Sequence, residues 1–143
     1  MNVIVYLSLL LTCCLYALAR GGTPERVAVA ILVTAVVAST LVPSMGSHRF
    51  YQLEVGMLAV DTCLFVSMTA LALRAQRYWP MWLAAVKLNT VITHLLILAP
   101  TLPPWSYAIA NAAWSYPSPL LIAIGAIRHR QRLRRYGADP AWS

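Results

Sequence analysis

Charged residues are scarce in this sequence. Asp, Glu, Lys and Arg make up 10% of its 143 residues, against about 25% in a soluble domain, while 60% of the residues are hydrophobic. That balance excludes a disordered chain, a collagen-like fibre and an ordinary water-soluble globule. Cysteine is sparser still, with Cys13, Cys14 and Cys63 and no CxxC pair. Neighbouring residues on a helix point about 100° apart, so Cys13 and Cys14 do not grip one metal from one face. All three read as small hydrophobes within apolar runs. HExxH and GxSxG motifs are missing, as are internal repeats and low-complexity tracts. Nothing therefore calls for an enzyme, and neither a metal nor a cofactor is expected. Haem would need a second histidine facing His94, and His48 in a polar loop and His129 in a basic segment are poorly placed to be one.

Acidic residues are scarcer than basic ones, 4 against 11, which gives a formal net charge of +7. Position decides what that charge means. Arg128, Arg130, Arg132, Arg134 and Arg135 form one run directly after an apolar segment, where a juxtamembrane basic patch meets anionic lipid headgroups or a partner. No stacking aromatics or recognisable module accompany them, so nucleic acid is not an expected partner.

What the chain does have is apolar runs long enough to cross hydrocarbon, about 20 residues each. The sequence predicts an all-α integral membrane protein, a compact bundle of about five transmembrane helices in a single domain over 1–127. Spans are expected at about 2–19, 24–42, 55–73, 80–99 and 105–127, with a basic cytoplasmic tail at 128–143. The first run resembles a signal peptide but lacks a basic leading region and is long for one, so it reads as a retained span. Arg20-Gly21-Gly22 stops it; Thr23, Pro24 and Glu25 then supply an N-cap, a first-turn proline and an acidic residue at the positive end of the helix dipole. Ala30, Thr34 and Ala38 give the second span a face of small residues. Tyr78, Trp79 and Trp82 read as anchors at one membrane interface and Trp105 at the other. Pro117 and Pro119 interrupt the fifth span, which is either kinked or re-entrant, leaving four full crossings in the second case. Five crossings put nine arginines on one side and Arg49 alone on the other. The positive-inside rule then sets the N-terminus outside and the C-terminus in the cytoplasm.

Ionisable residues inside such spans are costly and face a bundle interior or a cavity. Asp61, Lys87 and His94 are three of these, and Glu54 sits at the mouth of the third span. Glu54 and Asp61 are seven residues apart, as are Lys87 and His94, so each pair shares a helix face. If the third and fourth spans are antiparallel neighbours joined near Gln76-Arg77, Asp61 and His94 differ in depth by about 3 Å and Asp61 and Lys87 by roughly 7–8 Å. This predicts a buried polar cluster supplemented by Thr62, Thr90 and Thr93. The favoured reading is a staple between helices; proton or ion handling is the alternative.

Thr23-Pro24-Glu25-Arg26, Asp61, and the stretch from Arg77-Tyr78-Trp79-Pro80-Met81-Trp82 through Thr93-His94-Leu95 resemble small uncharacterised bacterial inner-membrane proteins over about residues 20–100. The resemblance implies a bacterial inner membrane and no particular activity. The expected role is a non-enzymatic accessory or structural subunit of a membrane complex, with lipids and a protein partner or second copy around it. The alternative is a small transporter or proton-linked carrier built on the buried cluster.

Overall fold

The computed structural model describes residues 3–41, 55–75, 77–95 and 104–139. Among them are six α-helices and no strand: α1 (Val3–Arg20), α2 (Thr23–Leu41), α3 (Val55–Arg74), α4 (Tyr78–Leu95), α5 (Pro104–Ser115) and α6 (Pro117–Tyr136). Two of them, Thr23–Leu41 and Val55–Arg74, are long and apolar enough to cross a membrane, and Ile4–Arg20 is a shorter apolar helix.

Glycine makes the α1–α2 turn possible. Gly21 N–H donates to Ala17 O at 2.8 Å, and a Cβ at Gly21 would lie 2.4 Å from that oxygen and 2.7 Å from Glu25 Cβ. Gly22, rather than the expected Thr23, is the N-cap of α2, since its carbonyl accepts the first helical bond from Arg26 N–H at 3.1 Å. Glu25 then sits third in the helix and folds back, its Oε2 accepting from Gly22 N–H at 3.0 Å. This is the carboxylate half of a capping box. Pro24 falls at the second helical position, where a missing N–H leaves no bond unmade.

The expected fifth span is two helices. Tyr116 keeps helical dihedrals, φ −65° and ψ −39°, so the backbone direction is nearly continuous. Pro117 and Pro119 nevertheless lack the N–H groups that would bond back to Ala113 and Ser115, and the ladder breaks there. α6 then runs past residue 127 to Tyr136. The arginine segment expected as a tail is thus helical through Arg135, and Gly137 caps it with φ 71°, donating to Leu133 O at 3.0 Å.

α3 and α4 form the most extensive pairing; α1 packs on α6 and α2, α2 on α3, and α4 on α5 and α6. The seam residues are small or flexible: Ala17, Ala28, Met68, Leu83, Ile122 and Ala126 are fully buried. Gly125 is required for close approach, because a Cβ there would lie 2.8 Å from the Trp79 ring. The outside is apolar. On α1, Ile4, Leu7, Leu11, Leu15 and Leu18 are all exposed, and their three- and four-residue spacing makes one continuous outward stripe. Hydroxyls turn inward on their own helices: Thr12, Thr34, Thr62 and Thr69 each donate to the carbonyl four residues back, at 2.7–2.9 Å. Back-bonding of this kind satisfies a hydroxyl within its own helix.

Candidate functional site

Two polar clusters lie within this apolar framework. The first joins α3 to α4. His94 Nε2–H donates to Asp61 Oδ2 at 2.7 Å. Antiparallel pairing of the two helices brings these residues to nearly equal depth, and each projects from the face that its partner helix covers. The histidine side chain is 2% exposed and the aspartate 22%, so one member of the pair is sealed and the other retains an opening. Lys87 is buried two turns before His94, on the same face of α4. On α1, the Tyr6 ring packs edge-on against Tyr116 at the α5–α6 break, with centroids 5.7 Å apart. Thr90 and Thr93 are buried beside these groups, but their hydroxyls donate to Val86 O and Asn89 O. Thr62 likewise bonds Leu58 O. The threonines therefore line the site without turning their donors toward it.

The second cluster closes the end of the bundle where the α1–α2 turn, the α3–α4 turn and the end of α6 converge. Glu25 is fully buried; its Oε1 accepts from Trp79 Nε1–H at 3.1 Å while Oε2 caps α2. Beside it the ring of His129 packs so close to Gly22 that a Cβ there would meet it at 2.8 Å. Asp139, just beyond the Gly137 cap, turns back under the bundle. Arg132 Nε–H donates to its Oδ1 at 2.9 Å, and His129 Nδ1 and Arg77 Nη1 meet its Oδ2 at 2.5 and 3.0 Å. The Asp139 side chain is 5% exposed.

No family model, curated protein or solved structure matches the chain. Its chemistry is therefore read from its own residues.

The structure brings Asp61 and His94 together with Lys87 nearby. Glu54 lies outside the described residues, as does the side chain of Trp105 on α5. Trp79 departs from the expected interfacial anchor. It is buried, because it lies about 100° around α4 from Tyr78 and turns into the bundle to serve Glu25. Tyr78 and Trp82, four residues apart on one face, are exposed. Among the arginines, Arg128, Arg134 and Arg135 are exposed, Arg130 is half-buried, and Arg132 is tied to Asp139 rather than presented outward. Glu25 and Asp139 were not legible as site residues. The available signal was scarcity, since they are two of only four carboxylates in the chain.

Among the described residues no group of three or more His, Cys, Asp or Glu is arranged to hold a metal. A groove of about 500 Å³ runs between α2 and α3, lined by Ala30, Thr34, Ala38, Ala59, Cys63 and Ser67 among others. The small-residue face of α2 thus forms one wall of an open groove.

Chemically, the Asp61–His94 pair can hold a proton between two bases or fix two helices. The end cluster can bind an anion, a role that Asp139 fills here.

Proposed function

We propose that the chain is a multi-pass protein of the bacterial inner membrane, N-terminus outside and C-terminus cytoplasmic, serving as a non-enzymatic accessory subunit of a membrane complex. The observation that carries this reading is the inversion of polarity: Glu25, Lys87 and His94 are buried while whole stripes of Leu, Ile and Val face outward. In water that arrangement would expose apolar surface and desolvate charge; in lipid both groups are where they belong. Asp61–His94 then acts as a staple, because a polar group at membrane depth is tolerable only when paired. The α2–α3 groove supports an accessory role, since its alanines, threonine and serine let a partner's transmembrane helix approach at backbone distance. In mild detergent the protein should co-purify from its native membrane with a partner or as an oligomer. A monodisperse monomer with nothing attached would count against the reading.

A second reading, a proton-linked carrier, is favoured by the unequal exposure of the pair, with Asp61 partly open and His94 sealed. Asp61→Asn separates the two. In proteoliposomes a carrier loses pH-driven flux while its melting temperature holds. A staple loses stability, by about 1–2 kcal/mol on the scale of polar contacts within membranes, with no flux to lose.

A further inference from the structure

At the arginine-rich end of the bundle, Arg77 comes from the α3–α4 turn, and His129 and Arg132 from successive turns of α6. They converge on one carboxylate that lies beyond the end of α6, on no helix of the bundle. Asp139 stands two residues after a glycine at φ 71°, where an added Cβ would meet nothing within 4 Å, so the carboxylate is delivered by a short strap rather than by a helix. The cradle also has a donor to spare: Arg132 Nη2 is buried and makes no hydrogen bond among the described residues. Glu25 is engaged elsewhere, its two oxygens accepting from Trp79 and Gly22. Two guanidinium groups and an imidazole presented from different directions suit an anion with three or more oxygens better than a carboxylate with two.

We infer that Arg77, His129 and Arg132 form a binding site for a phosphate group, occupied by Asp139 as an internal plug that a phosphate-bearing ligand displaces. The plug is tethered through Gly137 and Ala138, which gives it an effective concentration on the order of millimolar. A displacing phosphate must therefore be abundant at the site. The headgroup of an anionic phospholipid and a soluble phosphomonoester share that chemistry. This inference is independent of the accessory role proposed above.

The test uses the full chain. In detergent, inorganic phosphate is titrated and followed by its phosphorus resonance. Asp139→Asn should bind at least ten-fold more tightly than wild type, and adding Arg132→Gln should abolish the gain. In parallel, amide exchange at Gly137–Asp139 of the wild-type protein is compared in phosphatidylcholine nanodiscs, in nanodiscs containing phosphatidylglycerol, and with inorganic phosphate. Several-fold faster exchange is expected when the plug is displaced. Acceleration by phosphatidylglycerol alone assigns the site to a headgroup, and acceleration by free phosphate assigns it to a soluble ligand. The wild-type exchange decides the matter if Asp139→Asn does not fold. Exchange unchanged by either probe overturns the inference, as does a folded Asp139→Asn that gains no affinity.

Discussion

At the scale of single residues, a few buried polar side chains bind one helix to another through identified partners. Trp79 is the clearest case. Its indole N–H is the donor for Glu25 Oε1, its ring lies against Gly125, and the residue is buried. Trp79→Phe keeps most of the ring volume and removes only the donor, leaving a buried carboxylate oxygen unsatisfied. The expected loss is about 1–3 kcal/mol, read as a lower melting temperature in detergent. In a double-mutant cycle with Glu25→Met, which leaves no acceptor oxygen, the two losses should be non-additive, because both remove the Trp79–Glu25 bond. Little of this was readable beforehand. Asp61 and His94 meet through simple register arithmetic on a tight hairpin, which needs only spacing and helix rise. Trp79 and Glu25 are 54 positions apart on helices that are not consecutive, and a run of aromatics before an apolar span looks the same whether its middle member points out or in.

At the scale of elements, the helices were legible from apolar run length and from glycine and proline punctuation. What was not legible is where α6 ends. Composition marks the sequence after Ile127 as polar and basic, which resembles a tail, yet the helix continues because Arg, Gln and Leu are good helix formers and one face stays attached through His129 and Arg132. Gly137 ends it. A side chain there meets nothing within 4 Å, so the penalty for Gly137→Ala is purely that of holding an L-residue at φ 71°, about 1–2 kcal/mol. The expected consequence is local: faster amide exchange over the last turn of α6 and a loosened Asp139, with the exchange of α3 and α4 unchanged. Equal acceleration throughout the bundle would mean that the cap supports more than the last turn.

At the scale of the whole molecule, the end cluster bears on the proposed membrane topology. Gly22 touches His129 and Arg77 pairs with Asp139, so the α1–α2 turn, the α3–α4 turn and the end of α6 share one end of the bundle. Tyr6 meets Tyr116 away from that end, early in α1 and at the start of α6. An α6 of 20 residues spans about 30 Å, enough to carry the chain from Tyr116 to the arginine-rich end. Following the chain, α1 runs toward that end, α2 away, α3 toward, α4 away, and α5 with α6 toward it again, an odd number of passes. This supports the proposed five-crossing topology, with α5 and α6 counted as one broken crossing, and it agrees with the arginine asymmetry without depending on it. Reporters fused separately to the two ends should therefore fall in opposite compartments, the C-terminal one in the cytoplasm. If both report the same compartment, one helix does not cross. α1 would be the first to suspect, since it is a shorter apolar helix than α2 and α3, and the loss of its pass alone would leave an even number, whereas α6 crosses whether or not α5 does.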